Sequence, residues 1–356
     1  MKTKDKIKLE DVILKILEDQ IKKRKKKISN REIKKITQDI TKKSILKLSE
    51  ETKKNLDKEI KKRVLEEEKI RNGFENRLYS KWEKAINLYE ILGIISLEIA
   101  ENVKKNISQT KKVMGFKESA IFKIHARALR IYKEIFCLIK SGYVDGANAR
   151  WRSLYELTVI CLFLSKNNEN VSERYLRYEP VLALREAEEY KKNYKRLNFR
   201  SLGKKVFSDL KKEVRKLENQ FGSEFVERGD YCWIPKTILS NRNFAELEKN
   251  IKLNKWRPFY KFSCNFVHGG PRGLNSSGML NWNAQNILLV GPTNYGLTDP
   301  MQNSAISLLQ ITSCLSVLKP NLEVAIFSKI MDLYITTLQN ESIKIQKQIE
   351  KEEKQK

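Results

Sequence analysis

The chain has 356 residues, of which 40% are hydrophobic and 32% charged, and its formal net charge is +27 at pH 7. This length allows one large or two ordinary domains. A positive excess of this size attracts polyanions, most often nucleic acid, although the coding bias of an A+T-rich genome gives a similar Lys-rich, Asn-rich and Ile-rich composition. The longest uncharged helical stretch, 301–318, is too rich in Gln, Asn, Ser and Thr for a membrane span.

Cysteine and histidine usage argues against a metal centre. The five cysteines form no C-x-x-C pair, and there are only two histidines. Scattered cysteines in apolar surroundings are typical of reduced thiols in a cytosolic protein, and two histidines leave little to build a zinc site from. The first residues, M-K-T-K-D-K-I-K, lack an apolar signal core. We therefore expect a cytoplasmic protein with no metal and no cofactor.

Residues 1–72 are predicted to form a basic helical arm. The capping box Ser29-Asn30-Arg31-Glu32 opens a helix whose apolar positions are sparse. The arm either grips nucleic acid or packs as an outer helical layer with solvated charges. Binding to a membrane surface is disfavoured because the apolar face lacks Trp and Phe. The candidate nucleic-acid contacts in the arm are Lys22, Lys23, Arg24, Lys25, Lys26 and Lys27.

Residues 73–338 are predicted to form a helical bundle. Phe74, Leu78 and Trp82 begin a three-to-four spacing that predicts a long core helix. The next helix, 119–140, turns His125 inward. The short turn 141–146 makes the following helix an antiparallel neighbour.

The helix 147–164 is predicted to be central, because from Leu157 onward it is apolar on every side. Its first turns nevertheless carry Arg150, Arg152 and Glu156. Arg152 and Glu156 are four residues apart and so share one face. Because buried charge is costly unless it is paired, this pair is either a structural brace or the floor of a site.

The stretch 174–195 interleaves Tyr with Lys and Arg. This pattern is typical of a surface that stacks bases beside phosphates, or of a half-exposed helix.

A helix beginning at Pro258 is predicted to end at Gly269, immediately after His268. Phe259, Phe262 and Phe266 form its apolar stripe. His268 then lies on the last turn, where the helix dipole favours the imidazolium, as a proton donor, an anion contact or a simple cap. The candidate binding residues around it are Lys261, Ser263 and Arg272.

The stretch 271–303 is rich in Gly, Asn and Ser and is predicted to be a long ordered loop, with a short strand at 286–290. Ordered loops of this length often serve as lids. Helices at 305–318 and 322–338 complete the bundle, and 339–356 are a charged tail. The fold class predicted is all-α: a multi-helix bundle with a basic arm and one long Gly/Asn-rich loop.

Several motifs resemble the bacterial domain-of-unknown-function family 5677. They are H-A-R-A-L at 125–129, G-A-N-A-R-W-R-S-L-Y-E-L at 146–157, R-P-F-Y-K-F-S-C-N-F-V-H-G-G-P-R-G at 257–273, V-G-P-T-N-Y-G-L-T-D-P at 290–300 and F-E-N-R-L-Y-S-K-W-E-K-A at 74–85. The resemblance covers about residues 50–335 and implies an all-helical bacterial cytosolic protein. The family's marked positions fall on His125, Arg150, Arg152, Glu156 and His268.

A weaker resemblance is to the HEPN ribonucleases, helical bundles whose active site pairs an Arg with a His four to six intervening residues later. Counting back from His268, those positions are Ser263, Phe262 and Lys261. None is Arg, and Lys261 lacks the planar fork that grips a phosphate in two places. The family's motif is therefore incomplete here.

Two functional hypotheses follow. In the first, a metal-independent ribonuclease uses His125 and His268 as general base and acid, Arg152 holds the phosphate, and Glu156 orients Arg152. In the second, which we rank ahead, a non-catalytic protein binds nucleic acid or a partner, for instance in stress or phage defence. Arg152 with Glu156 is then a brace. Self-association as a homo-oligomer is a further expectation.

Overall fold

The computed structural model describes residues 29–109, 113–275 and 290–354, together with residues 14, 15, 18, 19 and 22. All regular secondary structure in this part of the chain is helical, so the predicted all-α multi-helix fold is confirmed. Lys22 is helical and exposed. The other basic candidates of the block, 23–27, lie outside the described residues.

Several of the helices follow one another with connections of a few residues, whereas residues 222–243 form a longer connection. In chain order the α-helices are α1 Asn30–Gln109, α2 Phe116–Lys140, α3 Val144–Lys166, α4 Glu169–Leu176, α5 Glu179–Asn193, α6 Lys204–Phe221, α7 Phe244–Asn250, α8 Arg257–Cys264, α9 Thr298–Ser316 and α10 Leu322–Lys354. Short 3₁₀ helices lie at Ser223–Phe225, Asn254–Trp256 and Pro271–Asn275.

The chain divides into two compact units, residues 1–73 and 74–356. In the first unit, the Glu32 carboxylate accepts from Ser29 N at 3.0 Å and Ser29 Oγ accepts from Glu32 N at 3.4 Å, so the predicted capping box is present. The apolar side chains of this unit's helix are sparse, and Ile60 is 53% exposed. Its charges are mixed, with 14 Lys or Arg and 9 Asp or Glu between residues 30 and 73.

The core of the second unit lies between α1, α2, α3 and α9. α2, α3 and α9 pack against one another, and α10 packs on α9. The predicted core stripe of α1 is confirmed, since Leu78 and Trp82 are buried. The indole Nε1 of Trp82 donates to Asn294 O at 3.1 Å, so this buried side chain has a partner for its polar atom.

Gly142 connects α2 to α3 through the short turn that the sequence predicted. Its φ of 75° is in the left-handed region, which glycine adopts without steric cost. A Cβ at this position would lie 2.7 Å from both Phe74 Cε1 and Thr293 O. Thr293 N donates to Gly142 O at 2.9 Å, so the turn also anchors the segment that leads into α9.

α8 corrects the sequence prediction in both its length and its buried face. The helix ends at Cys264 rather than at His268, and the chain leaves it through tightened turns before Gly269. Phe259 and Phe262 are 46% and 42% exposed, whereas Tyr260 and Ser263 are buried. The helix buries this face because the Tyr260 hydroxyl bonds to Glu156 and Arg152 of α3. A hydropathy pattern alone does not predict such a polar contact.

The last helix is longer than the predicted 322–338, since α10 continues to Lys354. Ile349 is buried, and Gly296 N donates to Gln346 Oε1 at 3.0 Å. These contacts fasten the end of α10 to the segment before α9. Residues 276–289 of the predicted Gly/Asn-rich loop, with most of the predicted strand, lie outside the described residues. The described ends of the loop correct the prediction, because Pro271–Asn275 form a 3₁₀ helix and α9 begins at Thr298, earlier than expected.

Candidate functional site

The charged pair predicted on α3 meets a tyrosine from α8. Arg152 Nη2 lies 2.9 Å from Glu156 Oε1, as their four-residue spacing predicted. The Tyr260 hydroxyl donates to Glu156 Oε1 at 2.7 Å and accepts from Arg152 Nη2 at 3.0 Å. The three side chains therefore form a closed triangle between α3 and α8.

A second ion pair lies beside the same tyrosine. Arg257 pairs with Glu248, which is fully buried. The guanidinium groups of Arg152 and Arg257 lie 5.2 Å and 5.6 Å from the centroid of the Tyr260 ring, within the range of cation–π attraction. Together Arg152, Glu156, Tyr260, Arg257 and Glu248 form a cluster that we call the Tyr260 network.

The surroundings raise the pKa values of Tyr260 and Arg152, and burial also raises the pKa of the Glu248 carboxyl. Burial raises the pKa of Tyr260, and the hydrogen bond and charge of Glu156 add to the rise, so the hydroxyl stays protonated. Burial lowers the pKa of Arg152, but the charge of Glu156 and the contact with Tyr260 outweigh it and the net pKa is raised. Arg152 Nε is buried, with no hydrogen-bond partner among the described residues, so it is out of reach of a ligand from solvent.

His125 faces the core, as predicted, and is only 3% exposed. Its Nε2 lies 2.9 Å from Ser96 Oγ, which lies 2.9 Å from Thr312 Oγ1. Thr312 donates its only hydroxyl proton to Leu308 O at 2.8 Å, so Ser96 must donate to Thr312 and accept from His125. His125 is thus held with its proton on Nε2. Burial lowers its pKa to about 4, so at neutral pH it is uncharged.

His268 occupies a different environment. It is exposed and lies in the turn after α8, where its backbone N donates to Cys264 O at 3.0 Å. The prediction that it sits on the last helical turn is wrong. The turn tightens before Gly269-Gly270-Pro271, so the helix stops one turn earlier than the glycines suggested.

The described contacts join some of the predicted site residues and not others. Arg152 and Glu156 are joined, but their described contacts include neither His125 nor His268. Arg150 pairs with Glu134 of α2. Of the other binding candidates, Lys261 and Arg272 are exposed and Ser263 is buried.

Sequence reasoning missed the partners that complete the network. Tyr260 and Arg257 stand in the quoted R-P-F-Y-K motif, but the neighbouring phenylalanines drew attention to the opposite face of the helix. Glu248 belongs to α7, a short charged stretch with no motif. The only usable signal was that a charged pair entering a core helix requires polar partners from elsewhere.

Two classes of site are absent from the described part of the chain. No group of three or more His, Cys, Asp and Glu side chains there is arranged to hold a metal ion. Nor does any helix among those residues have the length and apolar character needed to cross a bilayer.

Comparison with known proteins supports the resemblance drawn from the motifs. Residues 118–285 match the model of a family of unknown function, DUF5677, so the predicted similarity to this family is confirmed over that range. The matched range contains the α3 and α8 motifs of the Tyr260 network, but not the motifs at 74–85 and 290–300. Searches of curated proteins and of solved structures find no match.

Proposed function

We propose that this protein binds nucleic acid through a basic surface and does not catalyse its cleavage. The observation that carries the proposal is a block of mostly unpaired positive charge on the second unit. Residues 190–208, which join α5 to α6, contain seven Lys or Arg and no Asp or Glu. All seven basic side chains are exposed. Such a block attracts phosphate groups over a distance comparable with the Debye length.

Internal ion pairs do not neutralise this block. Among the described residues, Lys192 is the only one of its seven basic residues with an ion pair, 2.9 Å from Glu189. The described arm differs, because its charges are mixed and partly paired along the helix, as with Lys53 and Asp57 at 2.6 Å. We therefore assign the main contact to the segment between α5 and α6 rather than to the arm.

The non-catalytic part of the proposal rests on the separate environments of the two histidines. A general acid and a general base must both reach the substrate. His125 is held in the core by Ser96 and is uncharged at neutral pH, whereas His268 is exposed in a turn. Arg152 and Glu156 form an ion pair with each other, and both hydrogen-bond to the Tyr260 hydroxyl.

An electrophoretic mobility shift of the full-length protein tests the binding proposal. We expect labelled RNA and DNA to be retained at low salt, with log K falling linearly as log salt rises, because bound phosphates release counterions. Neutralising Lys191, Lys195 and Lys204 with alanine should weaken retention. The absence of any retention at low salt would refute the proposal.

A further inference from the structure

A cleft lies at the connection between α5 and α6. It encloses about 530 Å³. Its main lining residues are four lysines and two aromatic side chains, namely Lys191, Lys192, Lys195, Lys204, Tyr194 and Phe207. No carboxylate lines it. We call it the α5–α6 cleft.

The aromatic groups of the cleft are held in place. Tyr194 stacks on Tyr190 with ring centroids 6.2 Å apart and planes 16° apart. The Lys191 ammonium lies 5.4 Å from the centroid of the Phe207 ring. Both lining rings remain partly exposed, so each keeps surface that a planar ligand can cover.

The loop that closes the cleft is also fixed by hydrogen bonds. The Tyr190 hydroxyl donates to Arg200 O at 2.7 Å, and Phe199 N donates to Tyr194 O at 2.9 Å. Asn198 turns the chain in the left-handed conformation, with φ of 56°. These contacts order the loop backbone before binding, which lowers that part of the cost of organising the cleft.

The start of α6 favours an anion at the mouth of the cleft. Helix N-termini carry partial positive charge and usually have an acidic residue or a capping side chain. α6 has neither: its N-cap is Gly203, and its first turn contains Lys204 and Lys205 with no acidic residue. Two lysines at this end are unfavourable for the free helix. A phosphate there would receive backbone N–H groups and offset the repulsion.

The cleft offers contacts for both the base and the phosphate of a nucleotide. The aromatic faces suit the base, and the lysines and the helix N-terminus suit the phosphate. Proteins that bind single strands combine a basic groove along the phosphates with aromatic side chains on which bases stack. In a duplex the bases are stacked on one another and their faces are not available. We propose that the α5–α6 cleft binds single-stranded nucleic acid, with unpaired bases on Tyr194 and Phe207 and phosphates at the lysines. This inference rests on the proposed function and adds the form of nucleic acid that is preferred.

Fluorescence anisotropy with the full-length protein tests this inference. The probes are a fluorescein-labelled 20-nucleotide oligouridine, a duplex RNA of equal length, and vesicles containing phosphatidylserine. We expect the wild type to bind the single strand at least about tenfold more tightly than the duplex, because stacking contributes on that scale for each base. Equal affinity for the two RNAs, or binding to the vesicles alone, would overturn the inference.

Two sets of variants separate stacking from charge. Tyr194→Leu with Phe207→Leu removes the aromatic faces without changing charge, and should abolish most of the preference for the single strand. Tyr194→Phe with Phe207→Tyr should preserve that preference. Replacing Lys191, Lys195 and Lys204 by alanine should lower the salt slope for the single strand by about 2, since each phosphate contact contributes about 0.7.

A matched control removes the same charge elsewhere. Lys104, Lys105 and Lys123 are exposed lysines outside the cleft, and their replacement by alanine should leave both the preference and most of the slope intact. Circular dichroism of each variant checks that it is folded. If the wild type binds no RNA at all, the proposed function fails and the inference with it. If it binds both RNAs and the leucine variants behave as wild type, only the inference fails.

Discussion

The Tyr260 hydroxyl lies 2.7 Å from Glu156 Oε1 and joins a helix near the end of the family match to its central helix, α3. The same oxygen accepts from Arg152 Nη2, so one hydroxyl bonds to both members of a partly buried ion pair. Removing a hydrogen-bond partner from a pair in this setting is costly. Tyr260 is therefore the residue that links α8 to this pair.

Replacing Tyr260 by phenylalanine should lower the free energy of unfolding by about 1–2 kcal/mol, the usual effect of removing buried hydrogen bonds while the ring remains. Urea denaturation would measure it. The matched control is Phe259→Leu on the exposed side of α8, which should change stability by less than about 0.5 kcal/mol. An unchanged midpoint for Tyr260→Phe would mean that the hydroxyl does not hold the network together.

His125 should make stability depend on pH. Its pKa is lowered from 6.5 to about 4 in the folded protein, so between these values the unfolded chain binds more protons. The stability it contributes is complete above pH 6.5 and is lost as the pH falls toward 4. The shift corresponds to about 3 kcal/mol across this window, at 1.36 kcal/mol per pKa unit. Urea titrations at several pH values would detect the loss.

The substitution His125→Gln separates this effect from that of other groups. Glutamine can still donate to Ser96 but does not titrate, so the variant should lose most of the pH dependence between 4 and 6.5. His268→Gln removes an exposed histidine and should keep the wild-type dependence. Equal pH profiles for His125→Gln and the wild type would contradict the buried neutral assignment.

Gly142→Ala should destabilise the turn between α2 and α3 by at least about 2 kcal/mol. A left-handed residue with a side chain costs about 1–2 kcal/mol, and the new methyl group would also lie 2.7 Å from Thr293 O. Thermal and urea unfolding would measure the loss. Gly269→Ala is the control, because a Cβ there meets nothing within 4 Å and the backbone is not left-handed. Comparable losses in both variants would show that the close approach at Gly142 is not the cause.

The sequence predicted those parts of the fold that depend on local spacing. A three-to-four repeat predicts buried faces for Trp82 and His125, and a spacing of four residues, about one helical turn, predicts the pairing of Arg152 with Glu156. These predictions need no knowledge of what lies opposite. The short turn at Gly142 is also predictable, because this glycine lies between two strongly periodic segments.

The orientation of α8 could not be predicted in the same way. Phe259 and Phe262 gave the stronger apolar stripe, but the helix buries the face of Tyr260, whose hydroxyl bonds to residues about a hundred positions earlier. Long-range polar pairing leaves no periodic trace in one sequence. The same holds for the end of α10, which looked like a charged tail but is fastened by Ile349 and Gln346.

The most direct test of the central claim recovers RNA from its complex with this protein. End-labelled single-stranded RNA would be bound at low salt, with and without EDTA, and the shifted band eluted onto a denaturing gel. We predict intact RNA from the wild type and equally from His268→Ala and Arg152→Ala, with retention lost as salt rises. Cleavage products that persist in EDTA and disappear in both variants would contradict the account and identify a metal-independent nuclease.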